Sequence, residues 1–321
     1  MQRRIENTEL VAFRNIGIDM AGPFETKNRP GKPRNKRYMI IFSCYYTRAV
    51  NLLKVDNADT YDLYCAFVRH VAQHGAPNTI NTDNGKNLMG LKRTFEEMRE
   101  NWEENSPLIK EDLESIEWTT NPPFAPWWGA HFESLIKTAK RTMKQIIRWP
   151  KYLLSDTELE TVFAQVTALM NIRPLGPSSS DLRDNATIRP TDFLNTGKGV
   201  PGVMPYLENL EPNYQLIKRT VDKATAEIWK RMLQEIVVHF NRMNKKLKET
   251  KPYEIGDVVV CGEVIAPNYK WPLGLVTQVF PGSDGKVRQV ELRSGGKLRI
   301  RDVKTLARLN LQPAPEERRF F

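Results

Sequence analysis

The sequence predicts an α/β domain followed by a long basic helix and a small β-barrel, and three observations support this prediction. Over the first half of the chain, short apolar runs of strand length alternate with helical patterns, as in α/β domains. Residues 219–249 then contain no Gly or Pro and many helix-forming residues. After residue 251, short β-rich runs are separated by turns that contain glycine, which is the spacing of a small barrel.

Two predicted strands of the α/β domain each lead to an aspartate. The first strand covers residues 10–19 and ends at Asp19, because the Gly22-Pro23 pair that follows is typical of a turn. A short strand over 78–82 leads directly to Asp83. The other predicted strands of this domain cover residues 38–47, 49–55 and 117–120.

Capping residues mark the start of two predicted helices. Asp59 or Thr60 caps a helix that ends at the Gly-Ala-Pro sequence of residues 75–77. Ser155 and Glu158 form a capping box that opens a second helix.

A third predicted helix, over residues 131–148, is amphipathic. Its apolar residues fall within one arc of a helical wheel, and Glu133 lies on the opposite arc together with a row of cations. The cations are Lys137, Lys140, Arg141, Lys144 and Arg148. One face of this helix is therefore expected to pack against the domain, while the other presents a single carboxylate beside positive charge.

The 321 residues include 48 Lys and Arg against 38 Asp and Glu, a formal net charge of +10, and the excess lies in the last third. Residues 1–213 hold 27 basic and 26 acidic side chains, whereas residues 214–321 hold 21 and 12. Such an asymmetry is typical of a near-neutral domain followed by an arm that binds a polyanion, most simply nucleic acid. The alternative is a basic surface that serves only solubility.

The composition argues against a disordered chain and against a membrane protein. With 40% hydrophobic residues, 7 Trp, 10 Tyr and 13 Phe, the chain can bury cores. No apolar run approaches the roughly 18 residues that a membrane-spanning helix needs, and residues 1–10 lack the apolar region of a signal peptide. The three cysteines, Cys44, Cys65 and Cys261, are expected to be ordinary thiols of a reducing compartment.

Asp19, Asp83 and Glu133 together indicate metal chemistry. If the first and fourth strands are neighbours, the three carboxylates can converge at one edge of the sheet. Crowded carboxylates repel one another unless divalent cations neutralise them, and Mg²⁺ or Mn²⁺ is expected because these ions prefer oxygen ligands. Two such ions about 4 Å apart can drive phosphodiester displacement. The alternative is that these acids are ordinary surface or capping residues.

The sequence around these acids resembles a known family. FRNIGIDMAGPF, INTDNGKNLMG and WTTNPPFAPWWGAHFESLIKTAKRTMK resemble, in this order, the three catalytic blocks of retroviral-type integrases, and most closely those of the BEL/Pao class of LTR retrotransposons. The resemblance continues through NIRPL and IRPTDFL to YEIGDVVV, WPLGLV and PGSDGKVRQVELR. It therefore covers nearly the whole chain.

The resemblance implies a ribonuclease H-like mixed sheet flanked by helices, with Asp19, Asp83 and Glu133 as the catalytic and metal-binding residues. It also implies that the last domain is a small SH3-like β-barrel that contacts DNA. The predicted domains are a catalytic core with an acidic insertion and an irregular wrap (1–213), the basic linker helix (214–250), the barrel (251–312) and a tail (313–321).

The implied activity is that of a DNA integrase, which is a polynucleotidyl transferase. Water first attacks a phosphodiester near the end of the element and frees a 3′-hydroxyl, which then attacks a phosphodiester of target DNA. The expected cofactor is Mg²⁺ or Mn²⁺, and no zinc site is expected. The expected partners are double-stranded DNA and further copies of the chain, with no membrane. The expected location is the nucleus, with the cytoplasm as a possible place of assembly.

Lysines and arginines are predicted to bind DNA phosphates near the three acids and in the barrel. They are Lys137, Lys140, Arg141 and Lys144 on the helix of Glu133, and Arg288 and Arg299 in the barrel. Asn84, Gly85 and Asn121 are predicted to support the site, the first two by shaping the turn after Asp83. The simpler alternatives are a solvated helix face, solvating charges on a small β domain, and the closing of a loop.

Two other functions remain open from the sequence. Integrases usually begin with a His₂Cys₂ zinc module, whereas only eighteen residues precede Asp19 here, so the chain is expected to be either a polyprotein fragment or a free-standing descendant. A domesticated integrase-like protein kept for DNA or chromatin binding would explain the missing module, whereas three intact acids favour an enzyme. A ribonuclease H-type hydrolase is disfavoured because the basic helix and barrel resemble a DNA-assembly arm.

Overall fold

The structure is a computed structural model with side chains, and its chain divides into two compact units. The first comprises Met1–Asn171 with Thr191–Ile228, and the second comprises Ile172–Pro190 with Trp229–Phe321. The structure describes residues 11–28, 30, 32–100, 116–120, 137, 140, 141, 143, 144, 147, 154–177, 187–194, 220–231, 233, 237, 241, 252–261, 273–294 and 296–309.

The first unit contains a mixed five-stranded sheet. Its strands are β1 (Asn15–Thr26), β2 (Asn35–Cys44), β3 (Val50–Val55), β4 (Thr79–Thr82) and β5 (Glu117–Thr120). Their order in the sheet is β3-β2-β1-β4-β5. The strands β1, β2 and β3 pair in antiparallel fashion, whereas β4 is parallel to β1 and β5 is parallel to β4. The prediction of an α/β domain is therefore confirmed, and the first and fourth strands are direct neighbours.

Three helices of this unit begin at or close to the predicted caps or turns. They are α1 (Thr60–His74), α2 (Lys86–Glu100) and α3 (Asp156–Asn171). The Asp59 side chain accepts the N–H of Asp62 at the start of α1. In the predicted capping box, the Ser155 N–H donates to Glu158 Oε2 (2.6 Å) and the Glu158 N–H donates to Ser155 Oγ (3.3 Å). These contacts satisfy N–H groups that have no partner within the helix.

The strand β1 does not end at Asp19, and this prediction is wrong. The Gly22-Pro23 pair, which is typical of a turn, instead lies in a bulge between Ala21 and Phe24, where the register against β2 shifts. Gly22 has a φ of +139°, and a Cβ at this position would lie 2.7 Å from Tyr38 Cδ1. Only glycine tolerates this conformation and this close approach. Gly22 and Pro23 are therefore accommodated in the bulge, and β1 continues beyond them.

The core of the first unit fills both faces of the sheet. On the interior strand β2, four consecutive residues have no exposed surface, namely Met39, Ile40, Ile41 and Phe42. One face packs against α1 and α2 through a cluster that includes Ile16, Ile18, Leu63, Phe67, Leu91 and Phe95. A strand that is buried on both faces has no polar alternation, which explains the continuous apolar run YMIIF in the sequence.

The helix α3 covers the edge of the sheet at β3. The Asn171 side chain forms two hydrogen bonds with the Val50 backbone: its Oδ1 accepts the N–H and its Nδ2 donates to the C=O, both at 2.8 Å. One turn earlier, Thr167 Oγ1 accepts the N–H of Leu52 (3.2 Å). Helix side chains therefore satisfy the outward-facing backbone groups of an edge strand, which would otherwise be open to pairing with another chain.

An ion pair joins β2 to the start of α3. The Arg37 guanidinium donates from Nε to Asp156 Oδ1 (3.0 Å) and from Nη2 to Asp156 Oδ2 (2.6 Å), and Thr26 Oγ1 donates to the same carboxylate. Burial by itself would raise the pKa of Asp156, but the hydrogen bonds from Arg37 and Thr26 hold that pKa below its ordinary value. The carboxylate is therefore ionised and fixed in place.

The predicted linker helix has a buried face. Residues 220–231 are helical, as are the described positions 233, 237 and 241. Its buried side chains include Val221, Ala224, Ile228, Trp229 and Leu233. Thr225 Oγ1 also donates to Gln165 Oε1 of α3 (2.5 Å). Across the described part of the chain, no helix combines the length and the apolar composition that crossing a bilayer requires.

The second unit contains a five-stranded antiparallel sheet. The strands of this sheet are β8 (Val258–Cys261), β9 (Leu273–Pro281), β10 (Val287–Ser294), β11 (Lys297–Asp302) and β12 (Leu306–Arg308). Two shorter strands of the unit, β6 (Gly176–Pro177) and β7 (Thr187–Ile188), form a separate pair. The large sheet has the order β11-β10-β9-β8-β12. The predicted β-rich runs after residue 251 are confirmed as the strands β8 to β11, and β12, which follows the 3₁₀ turn Val303–Thr305, is an additional strand. Val259, Val276, Val290, Leu292 and Leu306 form its core.

Candidate functional site

Asp19 and Asp83 lie next to each other on neighbouring strands. Ile18 of β1 and Thr82 of β4 form the last pair of these parallel strands, and each aspartate is the next residue in its strand direction. Because neighbouring strands are about 4.8 Å apart, the two aspartate backbones meet at one point of the sheet. The carboxyl end of a parallel strand is a common place for a ligand site. Asp19 is half-buried and Asp83 is exposed.

The turn between β4 and α2 orients Asp83. The Gly85 N–H donates to Asp83 Oδ1 (3.0 Å), and the Gly85 carbonyl accepts the N–H of Met89 in the first turn of α2. A Cβ at Gly85 would lie 2.9 Å from Asp83 Oδ1, closer than real Cβ atoms approach an oxygen. Asn84 lies between the two and is exposed. The absence of a side chain at Gly85 therefore leaves room for the carboxylate.

The carboxylate of Asp19 is paired with a cation from the predicted amphipathic helix. The Lys140 ammonium contacts Asp19 Oδ2, and the Met20 N–H donates to Asp19 Oδ1 (2.7 Å). The Lys140 side chain is 20% exposed and the Asp19 side chain 30% exposed, so the pair is partly shielded from water. The sequence predicts a phosphate contact for Lys140 and contains no signal for this pairing, because the two residues are far apart in the chain.

The other described residues of that helix follow the predicted amphipathic pattern. Met143 and Ile147 are buried, whereas Lys137, Arg141 and Lys144 are exposed. Lys140 differs from its cationic neighbours because it is half-buried. It lies seven residues before Ile147, which is about 20° on the helical wheel, so it borders the apolar arc. That position is the one local feature that could have indicated a buried contact.

Two of the arginines predicted to bind DNA, Arg288 and Arg299, lie in the antiparallel sheet. Arg288 forms a bidentate pair with Asp284 in the β9–β10 turn, at 2.8 and 2.7 Å, and its side chain is 62% exposed. Arg299 lies on the edge strand β11 opposite Leu292 and is exposed. The structure therefore puts both at the surface of the second unit, with Arg288 already neutralised by a carboxylate.

Two predicted site residues, Glu133 and Asn121, lie outside the described residues. Within the part of the chain that the structure describes, no group of three His, Cys, Asp or Glu side chains is arranged to hold a metal ion. Of the three residues predicted to bind metal, the structure therefore describes Asp19 and Asp83.

His70 and His74 lie one turn apart on α1; His70 is buried in the core and His74 is half-buried. His70 stacks on Phe42 with 4.1 Å between ring centroids, and its Nδ1 contacts Asn51 Nδ2 at 3.1 Å. Burial, together with the neighbouring His74, lowers the pKa of His70 to about 3. His70 is therefore neutral near pH 7 and contributes packing between α1 and β2.

The family comparison matches only the last third of the chain. A model described as a family of unknown function, DUF5641, matches residues 215–309, which include the linker helix and the antiparallel sheet. No curated protein sequence gives a significant match.

Several solved structures have some similarity to this chain. A chain of the simian T-cell lymphotropic virus intasome in complex with PP2A regulatory subunit B56 gamma is 11% identical, with 94% of this chain and 80% of that chain covered and a TM-score of 0.37. The HTLV-2 integrase catalytic core domain in complex with magnesium is 11% identical in its trimeric form, covering 59% of this chain and 100% of that chain (TM-score 0.33). Its dimeric form is 13% identical, covering 50% and 88% (TM-score 0.30). TM-scores below 0.5 do not establish a common fold.

Proposed function

We propose that this chain is an integrase-type polynucleotidyl transferase that cleaves and joins phosphodiesters of double-stranded DNA. The observation that best supports this is the parallel pairing of β1 with β4, because it brings together Asp19 and Asp83 from the first two integrase-like sequence blocks. The sequence blocks do not dictate which strands become neighbours, so the two observations are independent. We further propose that the mixed sheet is ribonuclease H-like and that the antiparallel sheet is an SH3-like barrel.

The residues at this edge of the sheet fit a divalent cation. Carboxylates are the hard oxygen ligands that Mg²⁺ and Mn²⁺ prefer, and the Lys140 ammonium at Asp19 shows that the position attracts a positive charge. Asp19 and Asp83 would hold the ions, and Glu133 would complete the ligand set implied by the resemblance. When bound, such ions activate the attacking oxygen and stabilise the leaving oxygen of a phosphodiester displacement.

The chain's own residues orient the two carboxylates and bind the DNA backbone. The Met20 and Gly85 N–H groups each hold one carboxylate oxygen, so both acids have a fixed direction before any ligand binds. Lys137 and Lys144 are exposed on the helix whose Lys140 contacts the site, and in this proposal they bind phosphates beside the reacting bond.

We propose that the last third of the chain is a DNA-binding arm. Residues 229–321 hold 18 basic and 10 acidic side chains, whereas residues 1–213 are almost neutral. A domain that gathers carboxylates for metal ions would lose them to ion pairs if it were itself strongly basic, so DNA affinity is better carried elsewhere. The proposed protein works as a homo-oligomer in the nucleus, with the domain limits 1–213, 214–250, 251–312 and 313–321.

A joining assay tests the enzymatic proposal. Labelled duplex oligonucleotides are incubated with the purified chain and Mg²⁺ or Mn²⁺, and nicked and joined products are resolved by size. We expect products with the wild type and with Glu160→Gln, an exposed acid on α3, but none with Asp83→Asn. If wild type and Asp83→Asn behave identically, the enzymatic proposal is wrong and a DNA-binding protein without this activity becomes the better interpretation.

Duplex binding at increasing salt tests the proposed arm. Residues 220–228 pack within the first unit, so the truncation should follow residue 228 and leave that core intact. We expect the truncated chain to bind duplex DNA much more weakly and with a flatter dependence of affinity on salt, because fewer counterions are released. An unchanged salt dependence would show that the last third does not carry the phosphate contacts.

A further inference from the structure

The partner of Lys140 differs from the one that its sequence context predicts. On the exposed arc of its helix a lysine would bind phosphate, yet its ammonium contacts Asp19 Oδ2. The second oxygen of Asp19 accepts the Met20 N–H at 2.7 Å. Lys140 therefore supplies positive charge at the carboxylate where the proposed function requires a divalent cation.

The burial pattern explains why Lys140, and not its neighbours, makes this contact. Met143 and Ile147 are buried and fix the helix against the first unit, while Lys137 and Lys144 are exposed. Lys140 borders the buried arc and is half-buried, and its ammonium reaches the Asp19 carboxylate of β1. A lysine head on a flexible four-carbon stem can change partners without movement of the helix backbone.

We infer that Lys140 is an exchangeable counter-ion that couples metal binding to DNA binding. Without metal, its ammonium neutralises Asp19. A divalent cation bound by Asp19 and Asp83 repels the ammonium, which then turns to a phosphate of the DNA. This inference rests on the proposed metal site, and it adds a role for Lys140 that a simple phosphate contact does not include.

The exchange has a reciprocal consequence. If metal releases Lys140 for DNA, then DNA that captures Lys140 must strengthen metal binding by the same factor, because the coupling free energy belongs to the pair of ligands. Coupling between two sites typically changes affinity by 5- to 150-fold, and a partly exposed pair belongs at the low end. We therefore expect a factor of about five.

Metal titration without DNA is the first test. Free Mn²⁺ is followed by electron paramagnetic resonance during titration of the full chain. We expect Lys140→Ala to bind Mn²⁺ about fivefold more tightly than wild type, because Asp19 no longer has to release a cation. Lys144→Ala is the matched control: it removes the same charge from an exposed position one turn further along the helix, and its affinity should change less than twofold.

The second test measures duplex binding with and without Ca²⁺. This ion binds carboxylates, so the test does not depend on catalysis. We expect Ca²⁺ to raise the duplex affinity of wild type and of Lys144→Ala about fivefold, and that of Lys140→Ala less than twofold. Circular dichroism checks that each variant is folded. Lys140→Gln, which keeps most of the stem, takes the place of the alanine variant if that variant is unfolded.

The outcomes separate this inference from the proposed function. If Asp83→Asn weakens Mn²⁺ binding but Lys140→Ala binds it as wild type does, the metal site stands and the exchange is wrong. If Asp83→Asn binds Mn²⁺ as wild type does, the proposed metal site is wrong, and the proposed exchange, which depends on that site, is wrong as well. Equal tightening by Lys140→Ala and Lys144→Ala would also overturn the exchange, since it would reflect only the loss of one positive charge.

Discussion

The close contact between Gly85 and Asp83 predicts that Gly85→Ala weakens metal binding while leaving the stability of the fold almost unchanged. In Gly85→Ala, the new Cβ would lie 2.9 Å from Asp83 Oδ1, whereas ordinary contacts begin at 3.4 Å. The carboxylate oxygen must therefore move by about 0.5 Å, which is the tolerance within which a ligand side chain has to be held. Altered support of a metal ligand typically lowers metal affinity about 10- to 100-fold, and we expect a loss of that size for Mn²⁺.

The cost in stability should be small. The atom that the new Cβ meets is the terminal oxygen of an exposed side chain, which can shift without disturbing the core, so the free energy of unfolding should change by less than about 1 kcal/mol. The assay is Mn²⁺ titration together with urea unfolding, and Asn87→Ala, an exposed residue in the first turn of α2, serves as the control. Wild-type Mn²⁺ affinity in Gly85→Ala would refute the idea that this contact positions a metal ligand.

Two further predictions concern the fold around α3. Asn171→Ala should lower the free energy of unfolding in urea by about 2–4 kcal/mol, because it leaves the buried N–H and C=O of Val50 without partners. The exposed Thr161→Ala on the same helix should change it by less than about 0.5 kcal/mol, and equal losses would contradict this assignment. Asp156→Asn should cost about 1 kcal/mol near pH 7, since the carboxylate pairs with Arg37 but is partly exposed. The folded pKa of Asp156 lies below 3.8, so this difference should be full above that pH and shrink as the pH falls through the folded pKa; a difference that is constant from pH 7 to pH 2 would contradict it.

Local signals predicted most of the secondary structure, and the errors have identifiable causes. The cap at Asp59 and the box of Ser155 and Glu158 determine where α1 and α3 begin, since only a few neighbouring residues are involved. The strand β1 extends beyond its predicted end because Gly22-Pro23 forms a bulge against β2, and a bulge depends on the partner strand. The buried face of the linker helix was indicated by the local sequence, because Val221 and Ile228 are spaced so that they lie on one side of a helix.

The sequence predicts which residues form the candidate site but not their contacts. The sequence blocks predict a shared role for Asp19 and Asp83, and a supporting role for the turn residue Gly85 beside Asp83. The ion pair between Asp19 and Lys140 could not be predicted, because a contact between residues so distant in the chain depends on how the helix packs on the first unit. The same holds for the contact of Asn171 with β3.

The sequence by itself determined most of the elements, the helix caps and the amphipathic arcs, because each depends on spacing within a few residues of the chain. Only the tertiary structure decided that β1 and β4 are parallel neighbours, that β1 continues past Asp19, and that a lysine occupies the carboxylate of Asp19. The physical reason is that strand order and long-range ion pairs are selected by the burial of the whole core. No local pattern specifies which of several apolar strands will become neighbours.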